Sequence, residues 1–182
     1  MYLNQFVELL EKCECKGIYI DERTPNLMQL LFADAMANIS DTVGQLQKQI
    51  DVLNTFCKDY GMKVNTSKTK VLVFKRGGKL KSYESWSYQG EKLEVVNEYK
   101  YRGLCFTSSL SWYKSINSLC LSANKALFIV WKFIHKYNLD QAKSLYLFDH
   151  MVVPILTYGA EIWGYQLYKT IETVQNKFCK KL

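Results

Sequence analysis

The sequence is poor in proline and in histidine, with 2 of each among 182 residues. So little proline, alongside 48% apolar residues, excludes a disordered or linker-like composition. It also lacks a long apolar run. The longest weakly polar run, Met151 to Ala160, is interrupted by Pro154 and is about half the ~20 residues that a membrane span needs. At the start of the chain, Leu3, Phe6, Val7 and Leu10 fall at helical spacing and Glu8 and Glu11 interrupt them. This reads as an amphipathic helix rather than a signal peptide. Cys13-x-Cys15 has no second Cys or His pair at zinc-finger spacing. The six cysteines, Cys13, Cys15, Cys57, Cys105, Cys120 and Cys179, read as reduced thiols, several in the core, of an intracellular protein, nuclear or cytoplasmic. There is no internal repeat and no low-complexity tract.

What is present is a chain long enough to bury a core in one ordinary domain or two small ones. Aromatic content is high at 14%, and the net charge is +7. Seven of the 24 Lys and Arg lie between Tyr60 and Tyr83: Lys63, Lys68, Lys70, Lys75, Arg76, Lys79 and Lys81. That stretch contains no Asp or Glu, and outside it basic and acidic residues are equal at 17 each. A basic stripe beside aromatics suits phosphate contact and base stacking, and equally a solvated loop.

Taken in order, residues 2–12 are expected to form a helix, Gly17 to Ile20 a strand, Thr24-Pro25-Asn26 a turn, and Leu27 to Phe32 a second strand. A strand over Met36 to Ile39 follows. Thr42-Val43-Gly44-Gln45 fits a capping box, Val43, Leu46, Ile50, Leu53 and Cys57 keep one helical face, and Gly61 closes that helix. Val71 to Phe74 reads as a strand and Tyr83 to Tyr88 as a hairpin arm with Gln89-Gly90 as its turn. Leu93 to Val96 and Tyr99 to Phe106 add short strands. The period then changes. Ile116, Leu119, Cys120, Ala123, Leu127, Val130 and Ile134 line one helical face, with Lys125, Lys132 and Lys136 opposite. Asp140 to Val152 and Ile162 to Leu182 are expected to be helical, with Pro154 a break. The fold class expected is α+β: a strand-rich module over 1–108 and a helical region over 109–182.

One carboxylate stands out. Asp34 sits inside the apolar run Leu30-Leu31-Phe32-Ala33-Asp34-Ala35-Met36, and a carboxylate there is costly unless it is paired or holds a metal. Phe32-Ala33-Asp34 resembles the aromatic-Ala-Asp-Asp turn of reverse transcriptases, with Ala35 in place of the second Asp. Four further segments, in order, resemble the reverse transcriptase of non-LTR (LINE-type) retrotransposons. Gln45 to Asn65 is similar to the helix and strand after the turn, and Lys68-Thr69-Lys70-Val71-Leu72-Val73-Phe74 to the Lys-Thr-Lys strand. Tyr99-Lys100-Tyr101-Arg102-Gly103-Leu104 is similar to the primer-grip hairpin, and Pro154 to Trp163 to a stretch past the thumb. Arg102 departs from the Leu usual in these elements.

The resemblance implies a partial polymerase palm followed by a helical thumb-like region. It implies Asp34 as a remnant catalytic and magnesium-binding carboxylate, and Lys68 on the phosphate side. Tyr99, Tyr101 and Gly103 are expected against a primer, and Lys125 and Lys132 along an RNA–DNA or DNA duplex. Lys70, Lys75, Arg76, Lys79 and Lys81 are expected to contact nucleic acid. The family places another essential Asp, the fingers and the nucleotide-binding segment before the turn, and only 33 residues precede Asp34 here. Fingers and upstream palm are therefore the natural packing partner. Asp21 is no substitute ligand, because Gly17 to Asp21 matches the hairpin arm. Polymerase chemistry needs two metal ions about 4 Å apart, and one carboxylate holds magnesium weakly. The expectation is no nucleotide incorporation and no tightly bound magnesium. The alternatives are a non-catalytic nucleic-acid-binding module using residues 60–83, and a folded module with a protein partner and no nucleic acid.

Overall fold

A computed structural model describes residues 2–32, 35–75 and 77–182. The chain is a mixed α and β structure that divides into two compact units, residues 1–97 and 98–182. The division falls before the Tyr99–Phe106 hairpin rather than after it, because the hairpin packs on the long helix that follows.

In the first unit, α1 (Tyr2–Lys12) buries Phe6 and Leu10, one helical turn apart. Beyond it the chain doubles back. Gly17 lies so close to the returning strand that a Cβ there would stand 2.0 Å from the Leu27 carbonyl oxygen, so no larger residue fits. The strand expected over Gly17 to Ile20 contracts to the single antiparallel bridge Ile18–Leu27. The tight turn is also not at Pro25. The Asp21 carboxylate accepts from the Arg23 and Thr24 amides at 3.0 and 2.7 Å, and this side-chain turn ends the pairing early. Asn26 instead uses its Oδ1 to accept from the Gly17 amide at 2.6 Å.

Strands β1 (Gln29–Phe32) and β2 (Ala35–Asn38) pair antiparallel, with Gln29 opposite Asn38 and Phe32 opposite Ala35. Helix α2 (Val43–Asp59) starts where expected, with Thr42 accepting from the Gln45 amide, but the capping box is only half made: Gln45 Oε1 accepts from the Lys16 amide at 2.9 Å, and the Thr42 amide donates to the Ser40 hydroxyl at 3.4 Å. It also stops as expected. The Gly61 amide donates to Lys58 O and the Met62 amide to Cys57 O, the paired bonds of a Schellman ending. The buried face is wider than the expected stripe and adds Gln49, Val52 and Phe56, because α2 packs on two sides. Val52, Leu53, Phe56 and Cys57 meet Phe6, Leu10, Cys15 and Met28, while Ile50 meets Val71, Trp86, Tyr88 and Leu93.

The remaining strands are short. β3 (Lys70–Leu72) stops before Phe74, and the arm expected over Tyr83 to Tyr88 narrows to β4 (Ser87–Tyr88). β4 pairs antiparallel with β5 (Glu91–Lys92) around Gln89-Gly90, both at positive φ as a type I′ turn requires. β6 (Glu94–Val96) then runs parallel to β3. The Gln47 side-chain amide supplies what the short β4 lacks. Its Nε2 donates to Ser87 O at 2.9 Å and its Oε1 accepts from the Ser87 amide at 3.0 Å, as a neighbouring strand would.

In the second unit, β7 (Glu98–Tyr101) and β8 (Leu104–Thr107) form an antiparallel hairpin. Helix α3 (Tyr113–Tyr137) buries Ile116, Leu119, Cys120, Ala123, Leu127 and Val130, with Ile134 packed beside them, as its spacing predicts. Asp140 caps α4 (Gln141–Met151), and Pro154 sits in the first turn of the short α5 (Val153–Leu156). The helix expected over Ile162 to Leu182 is broken into α6 (Ala160–Trp163), which ends at Gly164, and α7 (Lys169–Cys179). The core closes where Phe178 stacks on Phe148 at 4.2 Å and meets Trp131 at 5.4 Å. Among the described residues, no helix is long and apolar enough to cross a membrane.

Candidate nucleic-acid interface

Ala33 and Asp34, at the β1–β2 junction, lie outside the described residues, so the expected ligand is known only by its flanks. Ala35 opens β2 with a methyl group where a second carboxylate would stand. From Leu30 to Ala37 no residue other than Asp34 has a side-chain oxygen. Among the described residues there is no group of three His, Cys, Asp or Glu able to hold a metal. This donor set does not fit a pair of magnesium ions, which need several oxygen ligands from at least two strands. At the foot of the hairpin, both polar atoms of the Gln29 amide and Asn38 Oδ1 are buried with no partner among the described residues.

The basic stretch of the first unit divides by environment. Asn65 organises the turn that carries Lys68. Its Oδ1 accepts from the Ser67 hydroxyl at 2.7 Å and the Lys68 amide at 3.2 Å, and its carbonyl accepts from the Thr69 hydroxyl at 2.9 Å. Lys63 and Lys68 are exposed. Lys70 is not free: its Nζ lies 2.6 Å from Glu94 Oε2 and ties β3 to β6. Lys75 is half-buried, Arg76 lies outside the described residues, and Lys79 and Lys81 are exposed. The Lys81 ammonium sits 5.6 Å from the Tyr83 ring centre. A hydrogen bond with Tyr83, with the Glu84 carboxylate nearby, holds its pKa above the ordinary lysine value. Phe74 and Tyr83 are exposed aromatics in the same stretch.

In the second unit, the hairpin residues serve different ends. Tyr99 is exposed, but Tyr101 turns edge-on to Phe106 at 6.4 Å, and Phe106 in turn to Trp112 at 5.2 Å. Tyr101 therefore belongs to an aromatic chain leading into the core. Gly103, at φ +85°, lies beneath Tyr158: a Cβ there would meet the ring at 3.2 Å. Two of the segments named above, the hairpin turn and the stretch after Pro154, thus touch. Ser115, fully buried, fastens the hairpin to α3 by accepting from the Cys105 amide at 2.7 Å and donating to its carbonyl at 2.9 Å. Glu98 pairs with Lys114.

Lys125 and Lys132 are exposed on α3, away from its core face. Sequence reasoning missed what accompanies them. From Tyr99 to Leu139 there is no Asp or Glu and there are six Lys or Arg. The positive charge of this second acid-free segment is balanced by acidic residues elsewhere outside 60–83, so the net charge does not reveal it. Phe128, Phe133 and Tyr137 also lie exposed among the α3 lysines.

No family model matches this chain, and no solved structure matches it. The chain is similar to an uncharacterized transposon-derived protein of Caenorhabditis elegans, 31% identical over 140 residues. The match covers 77% of this chain and 50% of that protein, so the chain spans about half the length of the curated relative it matches.

Proposed function

We propose that this chain is the palm and thumb portion of a retrotransposon reverse transcriptase, and that it binds nucleic acid without itself adding nucleotides. The observation that carries the reading is the similarity to a transposon-derived protein over 140 residues. The five segments that resemble a LINE-type enzyme, in that family's order, fit it. In this reading Lys68 and the exposed Lys79 and Lys81, with Lys75 and Arg76, meet phosphates of an RNA–DNA or DNA duplex. Tyr99 and the Arg102-Gly103 turn face a primer end. Lys125 and Lys132 follow the duplex. Preceding fingers and palm, in the same polypeptide or supplied separately, pack against the β1–β2 hairpin, where Leu30 is 47% exposed and the Gln29 amide and Asn38 Oδ1 have no partner among the described residues.

Magnesium is the family's cofactor, and Asp34 is the one residue of the turn able to contact it. With Ala35 beside it, no second carboxylate shares the metal, and catalysis is expected to fail. The test is a labelled RNA–DNA primer–template with the purified chain. Salt-sensitive binding with no primer extension in magnesium and all four nucleotides is the expected result. Steady template-dependent extension would overturn the non-catalytic part. Absence of binding at low salt, from a sample folded by circular dichroism, would overturn the nucleic-acid part.

A further inference from the structure

We infer that the outer face of α3 is a stacking platform for unpaired nucleic-acid bases, so that the second unit takes a single-stranded segment in addition to the duplex that Lys125 and Lys132 follow. This inference rests on the nucleic-acid reading above and adds the kind of strand and the residues that hold it.

Helical geometry sets the layout. At 100° per residue, Lys125, Lys132 and Lys136 fall within about 40° of one another and make one row along the face. Leu121 and Phe128 flank this row on one side and Ile129 and Phe133 on the other, while Tyr137, the last residue of α3, lies farther round and is exposed because the helix ends there. The rings are presented outwards, with Phe128 60%, Phe133 44% and Tyr137 55% exposed. Phe133 and Tyr137 lie nearly parallel, 5.8 Å apart with 19° between their planes. Lys132 Nζ stands 4.7 Å from the Phe128 ring centre and Lys136 Nζ 5.1 Å from that of Tyr137. The helix contains no Asp or Glu to repel phosphate.

Each half of this arrangement points to one part of an exposed strand. The lysine row suits a backbone: Lys132 and Lys136 are about 6 Å apart along the axis. The aromatic flanks suit bases, since stacking on a ring works for any base whose face is free. In a duplex those faces are already stacked on each other. Lysines alone would serve a duplex, and the exposed rings would then bury nothing. The basic edge continues on α7, where Lys177 reaches Asn124 at 3.5 Å, and just beyond its end, where Lys181 lies 5.7 Å from the Trp131 ring centre.

The full chain would be titrated against labelled oligo(dT) and against a blunt duplex of equal length, by fluorescence anisotropy. The triple variant F128A/F133A/Y137A is expected to weaken oligo(dT) binding about tenfold or more and to leave duplex binding unchanged. K125A/K132A/K136A should weaken both. All six positions are exposed, and circular dichroism verifies that the variants fold. If the chain binds duplex but the aromatic variant leaves oligo(dT) affinity unchanged, or weakens both ligands equally, the platform is refuted while the nucleic-acid reading stands. If the chain binds neither ligand, both fall. If the aromatic variant leaves oligo(dT) affinity intact but abolishes a concentration-dependent self-association seen by sedimentation, the face is a protein contact.

Discussion

The Tyr158 hydroxyl donates a hydrogen bond to the Arg102 carbonyl across 2.7 Å, joining the β7–β8 turn to the segment after Pro154. That turn needs fixing. Arg102 has φ +49° and Gly103 φ +85°, and the left-handed region costs a non-glycine residue on the order of 1 kcal/mol. Tyr158→Phe keeps the ring over Gly103 and removes the bond, so a loss of about 1 kcal/mol is expected in urea denaturation. Gly103→Ala should cost more, because it adds a strained φ and a Cβ tight against the ring. A Tyr158→Phe variant as stable as the parent would mean that the bond does not hold the turn.

Gln47 gives a second prediction. Its amide satisfies both main-chain groups of Ser87, and Trp86 beside it donates its indole N–H to Val43 O at 3.1 Å. Gln47→Ala leaves a partly buried N–H and C=O without partners, at an expected cost of about 1–3 kcal/mol. Gln47→Glu keeps an acceptor for the Ser87 amide but has no donor for its carbonyl. Hydrogen exchange at the Ser87 amide should therefore accelerate strongly in the alanine variant and far less in the glutamate variant. Equal protection in all three proteins would remove Gln47 from this role.

These two contacts mark the limit of what the sequence makes legible. Helices α1, α2 and α3 were readable because apolar spacing and capping residues are local signals: Thr42, Gly61 and the row from Ile116 to Ile134 behave as their positions predict. Strand lengths were not, because they depend on partners distant in sequence. Gly17 to Ile20 and Tyr83 to Ser85 have strand-like composition but find no continuous neighbour, and the Asp21 side-chain turn competes with the first. The parallel pairing of β3 with β6 has no local signature. At the candidate interface, the charge of residues 60–83 is legible in the sequence. That Lys70 is engaged by Glu94, and that aromatics flank the α3 lysines, required the pairing register and the helix face to be known.

Asp140 sets a pH dependence for the second unit. Its carboxylate accepts from the Lys143 ammonium and from the Lys143 amide, both at 2.8 Å, and these bonds lower its pKa below the ordinary 3.8. A carboxyl with a lower pKa folded than unfolded contributes stability that is fully present above the unfolded value and is lost as pH falls through the folded one. The Asp140→Asn variant keeps a capping oxygen but cannot titrate. The stability difference between parent and variant should shrink as pH is taken below 3.8 and stay constant above pH 5. A difference that does not change with pH would assign Asp140 a purely hydrogen-bonding role.

Salt dependence would separate the lysines proposed to meet phosphate from those that hold the fold. Each lysine neutralising a phosphate contributes about one unit to the slope of log K against log salt. Lys79 and Lys81 are exposed on the basic stretch, so Lys79→Ala and Lys81→Ala should each reduce the slope for a primer–template duplex by about one unit. Lys70 is held by Glu94 between β3 and β6, so Lys70→Ala should leave the slope nearly unchanged and instead lower the stability of the first unit slightly. Chelation by EDTA at constant ionic strength should not alter binding, because the contacts proposed are lysine–phosphate and not metal-bridged. A slope unaffected by Lys79 and Lys81 but reduced by Lys70 would place the nucleic acid across the β3–β6 sheet edge, with the Glu94 pair opening to admit it. Loss of binding in EDTA would return Asp34 to the centre of the interface as a metal ligand.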